Sequence, residues 1–399
     1  MRKKLQRKII REIADEKPKI EPRCPYFGKC GGCFMQDVDY EHQREVKQKF
    51  LQKLFTDAEI EIEIPLPEPS PDIFYYRNRM DFPIGKNQEI GLKPMGKWMD
   101  VLNLEICFLQ SETSHEIMDI VRAWVRKWKL PGWDMVKHQG YARYLVIREG
   151  KNTDERMVII VTHVEDNADD VDLEKAFKDL VEKLKPLATT IYHGINSTVT
   201  DISYGSKMNL LHGNELLKEE VNGITYFISP FSFFQTNTKA AAKLQEYVVG
   251  LVDTKEMVLD LYCGSGFFTL SLAKAGMNVV GVELDPASIE MAHKNASENN
   301  IENAVFHAVD AKLHAKELQK GQYDTIIVDP PRAGLHPRVI RKLIEIEPRE
   351  IIYVSCGPAR LVHELPSFLE HYNLTSIKTF DMFPHTPHVE TVVVLTKKL

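Results

Sequence analysis

The chain has 399 residues, enough for two or three domains that each bury a core. Apolar residues make up 43% and charged residues 27%, the balance of an ordinary folded, water-soluble protein. A formal net charge of −6 excludes a uniformly basic nucleic-acid coat, while a local basic patch still suffices for RNA.

Residues 1–20 carry eight Lys/Arg against three Asp/Glu, and Leu5, Ile9, Ile10 and Ile13 recur at helical spacing. A solvated helical extension is expected, with a basic arm that touches phosphates as the sharper alternative. The segment has neither an uninterrupted apolar stretch nor a small-residue cleavage site, so it does not read as a secretory signal. Nor does any stretch approach the roughly 20 apolar residues that span a bilayer. A cytoplasmic monomer without membrane contact is the expectation.

A cysteine segment at 24–40 is followed by a charged helix from Glu41 to Phe55 and a Pro-rich acidic connector, IPLPEPSPD, at 64–72. From Tyr75 to Pro230, short strands (142–149, 156–163) mix with helices (112–128, 172–185), which suggests an α+β domain. After Pro230 a helix at 237–252 leads into apolar runs at 257–262, 278–283, 323–328 and 351–355. Helical stretches at 267–275, 286–299 and 358–370 separate them, so a parallel, doubly wound α/β sheet is predicted. VETVVVLTKK at 389–398 reads as the terminal strand. The expected divisions are a basic extension (1–23), a cysteine segment with its helix (24–74), a central α+β domain (75–230) and the doubly wound domain (231–399).

DLYCGSG at 260–266 joins a buried strand to a helix, and glycines such as Gly264 let the backbone turn tightly and approach a ligand. The next strand ends in Glu283, about twenty residues on, where such folds place an acid against ribose hydroxyls. The loop lacks the third glycine of a dinucleotide fingerprint, with Thr269 in its place. S-adenosylmethionine, which has no pyrophosphate, fits better. Asp329 closes another strand in VDPPRAG, ahead of a loop stiffened by two prolines. Cys356, in IIYVSCGPARL, falls on the same sheet edge as Gly264, Glu283 and Asp329, where a helix N-terminus is expected to lower its thiol pKa.

Cys24-x5-Cys30-x2-Cys33 with Cys107 far downstream is a three-plus-one pattern. Four thiolates hold either a [4Fe–4S] cluster or zinc, and the lone fourth ligand fits iron–sulfur better than paired zinc knuckles. Cys263 is expected to be neither ligand nor nucleophile. His385 and His388 lack a matching third ligand for a metal beside Glu390, so orienting or base-stacking roles are expected. Tyr75, Tyr76, Arg77, Arg79 and Phe82 interleave aromatic and basic residues, as Phe231, Phe233 and Phe234 cluster aromatics. Such side chains stack bases and hold phosphates, or else fill a core.

Taken together, CPYFGKCGGC (24–33), YRNRMDF (76–82), SPFSFFQTN (229–237), DLYCGSG, DPPRAG (329–334), VSCGP (354–358) and HTPHVETV (385–392) resemble the RNA uracil-C5 methyltransferases that form 5-methyluridine. The resemblance implies a Rossmann-like S-adenosylmethionine-dependent domain with an antiparallel terminal strand, behind an RNA-binding domain and an iron–sulfur segment. It implies Cys356 as nucleophile and Glu390 as general base. Gln235, Tyr262, Glu283 and Asp329, beside the Gly264 loop, would hold the cofactor, and Asp310 would lie at the adenine edge. Cys24, Cys30, Cys33 and Cys107 would hold the [4Fe–4S] cluster. The iron–sulfur motif points to 23S ribosomal RNA as substrate, with transfer RNA the alternative. The chain departs from the pattern in Gly357-Pro358, where Asn-Pro is common, and in Phe267, where some relatives have a polar residue. With 23 residues before Cys24, the TRAM module that many relatives carry there is not expected. Two rival readings are an amino-group methyltransferase, which would have an aromatic residue at Arg332, and a non-catalytic iron–sulfur RNA-binding protein.

Overall fold

The computed structural model describes residues 3–164, 168, 171–253 and 255–398. The basic N-terminal segment forms helix α1 (Lys3–Asp15), which packs on α2 (Tyr40–Asp57), whose N-terminus Asp39 caps by accepting from the Glu41 N–H. Ile10 and Ala14 of α1 share a core with Phe50 and Leu51 of α2 and with Leu261, Val328 and Tyr353 farther along the chain. α1 is thus docked along one stripe, where Ile10 and Ala14 are buried and Ile9 and Ile13 pack beside them, and it is solvated on its charged face.

The central region runs β1 (Arg79–Pro83), β2 (Gly91–Leu92), β3 (Leu102–Asn103), α3 (Glu112–Lys127), β4 (Ala142–Glu149), β5 (Arg156–Thr162), α4 (Leu173–Leu184), β6 (Thr190–Ile195) and β7 (Lys207–Gly213). Among the described residues, β1-β4-β5-β6-β7 form one mixed sheet, antiparallel except where β5 pairs with β6. Leu145, Ile147, Val158 and Ile160 face α3 and α4, against Trp124 and Leu180. The alternate residues Tyr144, Val146, Met157 and Ile159 face the C-terminal half. With both faces covered, β4 is buried along its whole length and β5 from Met157 on, and each carries a continuous apolar run (144–147 and 157–161), the usual signature of a doubly buried strand.

A hairpin, β8 (Leu217–Val221) and β9 (Ile224–Ile228), turns at Asn222-Gly223, both with positive φ, as tight hairpins require. The C-terminal half then runs α5 (Thr238–Gly250), β10 (Met257–Leu261), α6 (Phe267–Lys274), β11 (Asn278–Glu283), α7 (Pro286–Glu298), β12 (Ala304–Ala308), α8 (Ala311–Glu317), β13 (Thr325–Val328), α9 (Pro337–Ile346), β14 (Glu350–Ser355), α10 (Pro358–Leu369), β15 (Tyr372–Phe380) and β16 (Glu390–Lys397). Its sheet, ordered β12-β11-β10-β13-β14-β16-β15, is parallel except for β16, which is antiparallel to both neighbours. β16 therefore begins at the edge where the parallel strands end. Its register pairs Ser355 with Thr391, which sets Cys356 beside Glu390. Among the described residues, no helix is long and apolar enough to cross a membrane.

Candidate active site

The β10–α6 loop leaves the sheet through Tyr262 and Gly264, at φ 70° and 54°. Tyr262 holds this left-handed conformation without being glycine, a strain that its own N–H and that of Cys263 offset by donating to the Val282 carbonyl at 2.8 and 3.1 Å. Glu283 ends the neighbouring strand. Its carboxylate accepts from the N–H groups of Gly264 (3.3 Å), Leu284 (2.7 Å) and Asp285 (3.0 Å), which fixes it at the loop. Asp310 caps α8 and stands near Tyr262, whose phenol is pushed up to about 12 by burial and then by Asp310, Glu364 and Glu283. Tyr262, Gly264, Glu283 and Asp310 thus lie close together beyond the ends of the parallel strands. This set suits a nucleoside, with an anchored carboxylate for ribose hydroxyls and open backbone at Gly264. Gln235 is half-buried ahead of α5 and accepts at its backbone carbonyl from Asn78 Nδ2 (2.7 Å). Among the described residues no hydrogen bond joins its side chain to the others.

Cys356 lies just beyond β14, half-buried in a pocket with Arg332, Arg360 and His388. Glu390 is 4% exposed, and its Oε1 has no hydrogen-bond partner among the described residues. Burial raises its pKa well above the usual carboxylate range, Asp329 adds to this, and Arg332 opposes it. Asp329 is itself pushed up to about 7 by burial and by Asp260. The Cys356 thiol is pushed up to about 11, first by burial, then by Glu390 and Asp329, with Arg332 pulling it down. The expectation of a lowered thiol pKa is therefore wrong. The N-terminus of α10 is outweighed by desolvation and two carboxylates that arrive from distant parts of the chain.

A model of the tRNA (uracil-5-)-methyltransferase family matches residues 158–398. Over nearly the whole chain, an uncharacterized RNA methyltransferase of Nanoarchaeum equitans is 38% identical across 407 residues, covering 100% of this chain and 86% of that protein. The tRNA (uracil(54)-C(5))-methyltransferase of Pyrococcus furiosus is 39% identical across 375 residues, 94% of this chain and 85% of that protein. The crystal structure of Pyrococcus abyssi tRNA (uracil-54, C5)-methyltransferase in complex with S-adenosyl-L-homocysteine matches with a TM-score of 0.78 at 36% identity, over 92% of this chain and 86% of that one. The chain belongs to the tRNA (uracil-5-)-methyltransferase family. It is an S-adenosylmethionine-dependent RNA uracil-C5 methyltransferase with the α/β fold expected of one.

Two residues of the methyltransferase cleft escaped the sequence reading. Arg332, read only as a departure from an aromatic position, is the cation that faces Cys356 and Glu390. Asp260 is fully buried, accepts from Thr269 Oγ1 at 2.6 Å, and is pushed up to about 7 by burial, with Glu283 adding to the shift. The signal for it was an acid inside the apolar run VLDL. Cys263 is buried against Gly281, away from the Cys356 pocket. Of the aromatic candidates for RNA contact, Tyr76, Phe82 and Phe234 are core residues, whereas Phe233 is 69% exposed.

The loop carrying His385 and His388 is pinned from the N-terminal segment. Lys47 Nζ donates to Asp381 Oδ1 (2.6 Å) and to the Phe383 carbonyl (3.1 Å) in full burial. Gln43 Oε1 accepts from the His385 N–H (2.9 Å), and the His385 ring stacks on Phe74 with centroids 4.5 Å apart. Burial, and then Lys47, push His385 down to about 4, so it is a neutral buried anchor. His388 lines the Cys356 pocket. Cys24, Cys30, Cys33 and Cys107 line one small pocket. There the Gly32 N–H donates to Cys30 Sγ (3.4 Å) and Gln36 Nε2 to Cys33 Sγ (3.2 Å). As placed, no three His, Cys, Asp or Glu side chains among the described residues are arranged to hold a metal ion.

Proposed function

We propose that this methyltransferase forms 5-methyluridine at a uridine of transfer RNA, at the position corresponding to uracil-54 of its Pyrococcus relatives. The observation that carries the chemistry is a thiol and a guanidinium (Cys356 and Arg332) lining one pocket at the sheet edge, with the buried Glu390 carboxyl close enough to interact with both. Uracil C5 is a poor nucleophile. Addition of the Cys356 thiolate to C6 converts the ring to an enolate whose electron density returns to C5. When bound, S-adenosylmethionine supplies an electrophilic methyl group. Glu390 then takes the C5 proton, and the electron pair left behind expels the Cys356 thiolate and restores the C5–C6 double bond. Arg332 steadies the thiolate and the carboxylate.

For the cofactor we assign Gln235, Tyr262, Gly264, Glu283, Asp310 and Asp329. The anchored Glu283 carboxylate and the left-handed turn at Gly264 support this assignment. The segments 1–23, 24–74, 75–230 and 231–399 are the proposed divisions of the chain.

Transfer RNA takes precedence over 23S ribosomal RNA because the similar proteins whose names give a substrate act on tRNA. Mass mapping of RNA from a deletion strain tests this. Loss of 5-methyluridine from tRNA with rRNA unchanged is expected, and loss from 23S rRNA alone would overturn it. We also propose that Cys24, Cys30, Cys33 and Cys107 hold a [4Fe–4S] cluster, a reading supported by their shared pocket and by the N–H donors aimed at two of the sulfurs. Anaerobically purified protein should then contain iron and sulfide, and Cys107→Ser should lose both. Zinc without iron would contradict it.

A further inference from the structure

Two grooves meet at Arg7 of α1. One is the Cys356 pocket; the other crosses the central domain past Lys93, Met95, Lys97 and Trp98. Arg7 is exposed, with its guanidinium over the Phe34 ring at 5.6 Å. The acids of the second groove are already matched, Asp201 with Lys93 and Asp81 with Arg79. Arg7 and Lys97 are left as cations without a carboxylate partner among the described residues. Trp98 is 62% exposed between the exposed Met95 and Met99, although Trp124 and Trp133 are buried. An uncovered indole beside free cations, in a groove continuous with a site that must receive a uracil, has the composition of a single-stranded nucleic-acid platform. A base can reach Cys356 only after leaving its stack, so its neighbours in the strand need a new surface.

We propose that the RNA strand flanking the target uridine leaves the Cys356 pocket past Arg7, which holds a phosphate, and enters the central-domain groove. There Trp98 stacks a base and Lys97 meets the next phosphate. This inference rests on the uracil-C5 reading above, and it makes α1 part of the substrate site.

The test uses the full chain with a tRNA transcript. Trp98→Ala should raise the KM for RNA roughly tenfold while kcat stays within about twofold, since the lost stack serves binding and not chemistry. Arg7→Glu should raise KM by a similar factor and reduce the slope of log affinity against log salt by about 0.7–1, the share of one phosphate, whereas Arg7→Lys should stay near wild type. RNA should quench the wild-type tryptophan fluorescence, and Trp98→Phe should abolish the quenching while keeping KM. Wild-type KM in Trp98→Ala or Arg7→Glu, or undiminished quenching in Trp98→Phe, would overturn the proposal. If the wild type forms no adduct with 5-fluorouridine-containing RNA, the uracil-C5 reading fails instead. A normal adduct with unaffected variants sinks this inference alone, and the groove then serves a protein partner or none.

Discussion

Cys356 is asked to act as a nucleophile although its thiol is pushed up to about 11. At neutral pH a thiol of that pKa is ionised in about one molecule in ten thousand, because each unit is a factor of ten. Arg332 is the cation opposing the rise. An opposite charge at contact range shifts a pKa by about one to three units. Arg332 is exposed to solvent, so screening brings its effect to the lower end, about one unit. Arg332→Met should therefore lower the thiolate population about tenfold at any pH below the thiol's own. Glu390→Gln should act oppositely at alkaline pH, where the carboxylate is charged and repels the thiolate. The assay is alkylation of Cys356 by iodoacetamide in the free enzyme, followed peptide by peptide across a pH series. In the wild type the rate should climb about tenfold per pH unit, without levelling off below about pH 10. Arg332→Met should lie about tenfold lower throughout. A wild-type plateau near neutrality, or superimposable wild-type and Arg332→Met curves, would refute the reasoning.

Asp260, pushed up to about 7 from 3.8, is most favourable to the fold while protonated. Its contribution is complete below its unfolded pKa and is lost as pH rises through about 7, a difference on the order of a few kcal/mol. The melting temperature should thus fall between about pH 4 and about pH 7 more steeply in the wild type than in Asp260→Asn, and the two should run parallel above that; equal slopes would count against it. Lys47→Met strands the buried Asp381 carboxylate, which should cost about 3–5 kcal/mol in denaturant unfolding, with most of that recovered in Lys47→Met/Asp381→Leu. Equal losses in the single and double variants would show that packing, not the uncompensated charge, sets the cost.

The strands that build the site were legible because β10, β11, β13 and β14 are largely buried and read as predominantly apolar runs, interrupted in β10 only by Asp260. The edge strands β12 and β15 were not. They are half-exposed, so AVFHA and YNLTSIKTF carry polar residues that blur the pattern. Cys356, Glu283 and Asp329 could be put on one edge from strand ends alone. Arg332 could not be given its role, because it faces Cys356 and Glu390 only once β13, β14 and β16 are assembled. The docking of α1 was equally hidden, since Ile10 and Ala14 are too few to declare a buried face among so many charges. The thiol pKa failed for a related reason. A helix N-terminus is a local feature of the sequence, whereas desolvation and the Glu390 carboxylate are supplied by the tertiary fold.

The central claim, attack of Cys356 on uracil C6, is tested most directly by incubating the enzyme with S-adenosylmethionine and tRNA carrying 5-fluorouridine. Fluorine at C5 cannot leave as a proton, so the elimination step is blocked and the thioether to C6 persists. A stable protein–RNA complex, with the RNA attached to the Cys356 peptide and absent from Cys356→Ala, is the predicted result. Methyl transfer to unmodified tRNA by Cys356→Ala, or an adduct mapped to another cysteine, would contradict the account.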